Sequence, residues 1–449
     1  MLRTFRWFAS AATVAAGVTA VVLAQAPRVT FSDTRLDNGL RVIIAEDHSA
    51  PVFAVAVNYN VGSRDERQGR TGFAHLFEHM MFKGSEQVGP GEHFTLIFNN
   101  GGSMNGTTNK DRTLYYEVLP SNQLDLALFL EADRMWSLEI TRENLDNQRN
   151  AVQEERRLGV DNQPYGHTSE VLDELAYDTF AYEHSVIGSM ADLDAATVDD
   201  VKAFFRTYYA PNNAVLAIVG DVDTADTLAK VKHYFDRIKR QPAPPEVDMS
   251  EPAQTAERRR TLEDPLARLT RIDMAYKVPP GRSPDSEALT VLANILSSGR
   301  SSRLYEHVVR EKQLASNVSA FKGESRGPGL FQFVGSLLPG KDVAALEQAI
   351  EAEIARVQNE PVADWEMEKA RNSARRSFIS GLGSSLNRAV LLSQYALFYD
   401  DPGRINTQAD RIAAVTAADV QRVAKQYLVP SRRTVVITVP KAGGAGGGE

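Results

Sequence analysis

Two stretches of this chain are copies of one another, and their separation limits what it can fold into. "TVDDVKAFFRTYYAPNNAVLAIVGDV", starting at Thr197, matches "TAADVQRVAKQYLVPSRRTVVITVPK", starting at Thr416, without a gap. Thr197 and Thr416, Val201 and Val420, Tyr208 and Tyr427, and Pro211 and Pro430 all stand 219 positions apart. Each copy reads as a capped helix, a proline-containing turn and a short apolar strand. A period this long implies two similar domains, not a stack of small repeats. Between the copies, residues 240–258 are rich in Pro, Glu and Arg and lack periodic apolar positions, so they read as a linker. The first domain then covers 27–239 and the second 259–441, with a flexible Gly-rich tail at 442–449.

Within the first domain, "LRVIIAED" and "VFAVAVNYNVGS" read as strands, and "GGSMNGTTNKDRTLYYEVLP" as a Gly-rich turn leading into another strand. A long, mostly helical stretch follows. The second domain repeats the scheme, with "ARLTRIDMAYKVP" as strand and "DSEALTVLANILSS" as helix. This order predicts an α+β fold: two homologous domains, each an antiparallel-rich sheet packed with helices.

The N-terminus is basic ("MLRTFR"), then apolar and small ("WFASAATVAAGVTAVVLA"), then "AQAP", which offers an Ala-x-Ala cleavage site. Residues 1–26 read as a secretory signal peptide, which predicts a periplasmic or secreted body with no stable membrane insertion after cleavage. The competing reading is an uncleaved anchor, because the apolar run is close to a bilayer span. A net charge of −8 gives no general electrostatic reason to bind nucleic acid. The chain has no cysteine, so His, Asp and Glu are its only strong metal ligands.

That restriction bears on "GFAHLFEHMMFKGS", residues 72–85, which sets three ionisable side chains among Phe, Leu and Met. His75 and His79 are four apart, so on a helix they emerge from one face and converge on one ion. Glu78 lies at the edge of that face, beside the ion without ligating it, where it can take a proton from an attacking water. Leu76, Phe77, Met80, Met81 and Phe82 predict burial on the other faces. Unpaired ionised groups are costly there, and a bound cation offsets the cost. The alternative is two structural histidines and an ordinary helix glutamate.

A catalytic zinc takes three protein ligands and leaves one position open. The helix "ENLDNQRNAVQEERRLG", residues 143–159, is the best source of the third. Leu145 and Val152, seven apart, define its inward stripe, and Glu155 lies about 60° from that stripe while Glu154 lies about 160° away. The competing reading assigns Glu155 to a solvated surface with Arg156 and Arg157.

With Glu155 standing 76 positions after His79, the set His75-Leu-Phe-Glu78-His79 resembles the inverted zinc motif of the pitrilysin and insulysin family. That family includes the mitochondrial processing peptidases and many bacterial relatives. The resemblance continues through "NGLRVIIAEDHSAPV", "NAVQEERR", "PYGH", "IGSMADLDA" and "YYAPNNAVLAIVGDVD", and covers nearly the whole chain after the leader. It implies a short member that forms a half-clamp. It also implies one Zn2+ per chain held by His75, His79 and Glu155, with Glu78 as the general base of an endopeptidase. The peptide substrate would lie as an added strand along Asn105, Gly106 and Thr107.

Two departures from the family pattern stand out. Gln148 occupies a position, seven before Glu155, where the family commonly has Glu; it keeps hydrogen bonding and deletes a negative charge beside the site. The family's second domain often supplies an Arg and a Tyr to the substrate carbonyl. Here Arg310 remains, with a surface role as the competing reading, and Ser316 or Asn317 stands where Tyr is expected. The resemblance therefore implies a zinc-bearing partner in a heterodimer, whose second related subunit supplies Arg and Tyr. A noncatalytic binding or assembly subunit of the same family is the alternative.

Aligning Gly299 with Gly84 sets Thr290, Ala293 and Asn294 opposite His75, Glu78 and His79, so the second domain has no metal motif. His48, His93, His167, His184, His233 and His307 receive no role from the sequence.

Overall fold

The computed structural model describes residues 28–441. The leader, 1–26, and the tail, 442–449, lie outside the described residues. Two mixed sheets organise the chain. The first contains β1 (Ser32–Arg35), β2 (Arg41–Glu46), β3 (Val52–Tyr59), β4 (Ser103–Thr108), β5 (Thr113–Pro120) and β6 (Ala214–Gly220), in the order β1-β2-β6-β3-β5-β4. The second contains β7 (Arg258–Asp264), β8 (Arg271–Val278), β9 (Ala315–Lys322), β10 (Gly329–Leu337) and β11 (Arg433–Pro440), in the order β7-β11-β8-β10-β9.

Apart from β1, the two orders are the same topology. β2 runs parallel to β6, as β7 does to β11, and the remaining pairs are antiparallel. The repeat seen in the sequence is the last helix and strand of each unit. Thr197 and Thr416 each cap a helix, accepting from Asp200 N at 3.2 Å and Asp419 N at 3.1 Å, and each acidic partner bonds back to complete a capping box. Val201 and Val420 are fully buried beneath those helices.

Helices of the first half include α1 (Phe73–Met80), α2 (Glu92–Asn99), α3 (Leu124–Ser137), α4 (Arg142–Arg156) and α5 (Thr168–Ala176), of which α1 and α4 carry the site. On the front of the first sheet, α1 and α3 join Phe53, Val55, Val57 and Tyr59 of β3 in one core. The rear of the same sheet shows Ile43, Ala45, Ala54, Ala56, Val215, Ala217 and Val219, and it is covered from the second half of the chain. The helix Ser385–Tyr399 lays Ala389, Leu392, Tyr395 and Ala396 across it. Alanines recurring on that face let the crossing helix approach closely, and burial on both faces explains why β3 is apolar from Val52 to Val57 instead of alternating.

The second half receives a cover in return. Leu172 and Ala176 of α5, with Tyr177 and Tyr182, pack against Ala275, Leu330 and Val436 of the second sheet. Each sheet thus borrows one of its layers from the other half. Residues 241–255 hold no helix or strand, yet Glu251 in this stretch is tied to Lys277 at 2.6 Å and accepts from Asp178 N and Thr179 N.

Among the described residues, no helix is long and apolar enough to cross a membrane.

Candidate metal centre

Helix α1 begins where Gly72, at φ +86°, turns the chain into its first turn. Two of the amides there, Gly72 N and Ala74 N, donate to the buried carboxylate of Glu66 at 2.9 and 2.8 Å, which satisfies groups a helix start otherwise leaves unpaired. Phe73, Leu76, Phe77 and Met80 are buried, and the Phe77 ring stacks on Phe204 and Tyr209. What remains for the open side of the helix is His75, Glu78 and His79. The two imidazole rings lie 4.9 Å apart and nearly perpendicular.

Helix α4 is capped by Thr141, whose hydroxyl accepts from Asn144 N at 3.1 Å. Leu145 and Val152 are fully buried, as their spacing requires. Glu155 stands at His79 Nε2, 3.2 Å away, and at His75 Nε2, 3.6 Å away, whereas Glu154 turns outward to Arg157. Arg156, the neighbour assigned to a solvated surface in the competing reading, is mostly buried and pairs with Glu170.

One ligand atom from each of His75, His79 and Glu155 lies within 4.8 Å of the other two. Ligand atoms about 2.0–2.1 Å from a tetrahedral zinc stand roughly 3.3 Å from each other, close to the separations found. Both rings also favour the form that ligates. Burial, with His79 close by, holds His75 down to about 4, and burial lowers His79 against the opposing pull of Glu155. The donor set therefore fits a zinc ion. Gln148 is buried on the same face of α4 with its amide beside the His79 ring.

Glu78 ligates nothing in this arrangement. Its Oε2 accepts from the Thr108 hydroxyl at 2.6 Å, and its side chain lies flat against Gly106. A methyl group at Gly106 would sit 2.8 Å from Glu78 Cγ, so the glycine makes room for the carboxylate. Burial pushes the Glu78 carboxyl above its ordinary value while the Thr108 hydrogen bond pulls it down.

Thr108 and Gly106 belong to β4, the strand that ends the sheet and pairs only with β5 among the described residues. Asn105, Gly106 and Thr107 therefore lie on a free edge next to Glu78. Arg112 braces that edge by donating from Nη1 to the Thr107 carbonyl at 2.7 Å and to its hydroxyl at 2.5 Å.

Arg310 belongs to the second half of the chain. It lies on the π-helical turn Tyr305–Glu311, is largely exposed and pairs with Glu306 at 2.6 Å. Its ion pair does not reach His75, Glu78, His79 or Glu155. Ser316 and Asn317 lie on β9, the edge of the second sheet that corresponds to β4. On the helix Ser286–Ser297, Thr290 and Asn294 bond back to carbonyls of their own helix, Ser286 O and Thr290 O, and form no counterpart of the centre.

Two histidines given no role by the sequence have one in the structure. His184 Nε2 lies 3.0 Å from Glu66, the carboxylate that caps α1. His93 joins Glu117 and Glu131 in a second group whose spacing suits a cation. The charges argue against a metal there, because Arg134 already occupies the cation position. It is fully buried, pairs through Nε and Nη2 with both oxygens of Glu131, and lies 4.5 Å from the centre of the Tyr115 ring. Burial drives Glu117 up to about 7, and burial with Arg134 holds His93 down to about 3. Burial also drives Glu131 up to about 7; with one of the two acids protonated and the other charge met by Arg134, the group carries no net charge and leaves nothing for an ion to neutralise. Neither role was visible in the sequence, because Glu66 and His184 are separated by 118 positions, and His93 and Glu117 by 24.

Comparison with known proteins places these residues in context. The family model described as insulinase, peptidase family M16, matches residues 41–189, and the one described as peptidase M16 inactive domain matches 195–374. The first match spans the metal centre, and the second runs from the end of the first half into the half that lacks one. The zinc protease PqqE of Helicobacter pylori is 31% identical over 408 residues, covering 90% of this chain and 92% of that protein. The crystal structure of a protease from Helicobacter pylori superposes with a TM-score of 0.88 at 30% identity, covering 92% of this chain and all of that one. The first half of the periplasmic protease PqqL from Escherichia coli shares the fold, with a TM-score of 0.76 at 19% identity and 94% of each chain covered.

Proposed function

Since this chain belongs to peptidase family M16, the family of pitrilysin and insulinase, we propose that it is a zinc-dependent endopeptidase acting on peptides or unfolded protein segments. The observation that carries this reading is the convergence of His75, His79 and Glu155 from two helices, with Glu78 beside them on a free strand edge. Zinc held by those three side chains would polarise the scissile carbonyl and acidify the attacking water.

The chain's own groups do the rest. Glu78 takes the proton from the water and returns it to the leaving amine, and its raised affinity for protons suits both transfers. Thr108 fixes which carboxylate oxygen faces the reaction. The edge of β4 at Asn105, Gly106 and Thr107 takes the substrate as an added strand, so that main-chain hydrogen bonds hold many sequences in one register. A base and a binding edge locked to each other through Glu78, Gly106 and Thr108 place the bond to be cut within reach of the proton acceptor.

We further propose that the zinc-bearing chain works in the periplasm or outside the cell, with a second related subunit completing substrate handling. The exposed position of Arg310 and the absence of Tyr at Ser316 or Asn317 support the second subunit. The noncatalytic reading has less support, since a binding subunit has no need of three converging ligands and a poised base.

The deciding experiment measures metal content and cleavage of an internally quenched peptide by the purified chain, alone and with a related subunit. The expected result is one zinc per chain, cleavage abolished by a chelator and restored by zinc, and higher turnover in the mixture. Cleavage that survives complete removal of metal would sink the metallopeptidase reading, and equal activity without the second subunit would sink the heterodimer.

A further inference from the structure

The two helices that carry the ligands lie side by side and are tied directly at one end, where the Asn144 amide of α4 donates to Lys83 O just past α1 at 3.2 Å. At the other end, where Thr71 and Gly72 lead into α1 and Arg156 closes α4, the helices meet through the ligands themselves, Glu155 with His75 and His79, and through Gln148 beside His79. Both are also fastened to a third segment, residues 184–196, which includes the "IGSMADLDA" stretch that no catalytic role accounts for.

On the α1 side, Thr71 N and Thr71 Oγ1 donate to Asp192 Oδ2 at 3.0 and 2.5 Å, and Ser189 N donates to Thr71 Oγ1 at 3.1 Å. His184 Nε2 meets Glu66, which caps the same helix, while His184 Nδ1 meets Phe180 O at 2.8 Å. Gly72 and Gly188 touch through their backbones, since a Cβ on Gly188 would lie 2.4 Å from Gly72 N.

On the α4 side, Arg156 Nη1 donates to Gly188 O at 2.7 Å, one residue from the ligand Glu155. The same arginine is held by both oxygens of Glu170. Further along α4, Arg149 donates to Leu193 O at 2.9 Å and Ala196 O at 2.7 Å, and Gln153 donates to Asp194 at 2.8 Å.

We propose that residues 184–196 form a bracket that sets the distance between the His75–His79 pair and Glu155, with Thr71 and Arg156 as the positioning residues at its two ends. This inference rests on the metal reading given above. It makes the bracket part of the metal site's affinity without any of its atoms touching the ion, as outer groups that orient ligands commonly are.

The bracket has a signature that ordinary structural support lacks. Cutting either end frees the same motion of α1 against α4, so the second cut adds little to the first, whereas independent effects multiply. The test measures zinc affinity of the full chain by competition with a chromogenic chelator, together with the melting temperature of the metal-free protein. The variants are Thr71→Val, Thr71→Ser, Arg156→Lys and the Thr71→Val/Arg156→Lys pair. Valine keeps the shape of threonine without its hydroxyl, and lysine keeps the charge of arginine without its fork.

Thr71→Val and Arg156→Lys are each expected to weaken zinc binding about tenfold. The pair should remain near tenfold and not reach a hundredfold, and Thr71→Ser should recover most of the loss. Affinity within twofold of the parent in both single variants, or losses that multiply in the pair, would overturn the bracket. A drop in metal-free melting temperature with zinc affinity unchanged would do the same. If Arg156→Lys does not fold, Thr71→Val against Thr71→Ser carries the comparison. A parent chain that takes up no zinc overturns the metal reading itself, and the bracket with it.

Discussion

Glu78→Gln should bind zinc as the parent does and lose cleavage by at least about a hundredfold, the lower end of what a positioned general base contributes. The two halves of that expectation have separate causes. Glutamine has the shape of glutamate, so it still fits against Gly106 and its amide oxygen still accepts from Thr108. His75, His79 and Glu155 are untouched, and metal content and melting temperature should stay at parental values. The amide cannot hold a proton, however, and among the described residues the atoms nearest Gly106 belong to Glu78 itself. Zinc by elemental analysis and kcat on an internally quenched peptide check the result. Turnover within tenfold of the parent would mean that the proton goes elsewhere.

Glu131→Gln should be the most damaging single change beneath the site. Among the described residues Arg134 is one of the largest fully buried side chains, and Glu131 holds it through two of its nitrogens while its third, Nη1, has no partner there. Removing one member of a buried pair leaves an uncompensated charge and costs about 3–5 kcal/mol, a fall in melting temperature on the order of 10 °C. Denaturation of the metal-free protein measures this without interference from zinc binding. A loss under about 1 kcal/mol would show that Arg134 finds another counter-charge.

Glu117→Gln is the opposite case. Burial raises the Glu117 carboxyl from its ordinary 4.5 to about 7, among His93, Glu131 and Arg134. The folded chain thus holds this proton more tightly than the unfolded chain does. Its contribution to stability is full below about pH 4.5 and is lost as pH rises through about 7. Glutamine imitates the protonated acid, donating to His93 at every pH. The variant should match the parent at pH 4 and exceed it at pH 8.5, and equal stability at both would contradict a neutral Glu117.

What the sequence revealed and what it concealed divide along a physical line. His75, Glu78 and His79 were legible because four-residue spacing sets neighbours on one helix face, and Glu155 because Leu145 and Val152 fixed the phase of its helix. The repeat was legible because the capping threonines and buried valines recur at a constant interval. Periodicity assigns a residue to a face but does not say what that face meets. The partners were therefore hidden: Thr108 for Glu78, Glu66 with His184 for the start of α1, and Arg134 between two acids. The cover over the rear of the first sheet was hidden for the same reason. Alanines in β2, β3 and β6 signal a close neighbour, and nothing local says that it comes from residues 385–399.

That borrowed layer has a consequence for how the protein is made. The last strand of the first sheet ends at Gly220, but its rear cover ends at Tyr399, roughly 180 residues later and on the order of ten seconds or more of synthesis. Until residues 385–399 are present the first sheet has one oily side without its cover, and the second sheet cannot close before its own last strand, β11, near the C-terminal end. Neither half has an independent moment of completion. Two copies of one unit thus make a single cooperative object, in which neither half is covered until the whole chain is present.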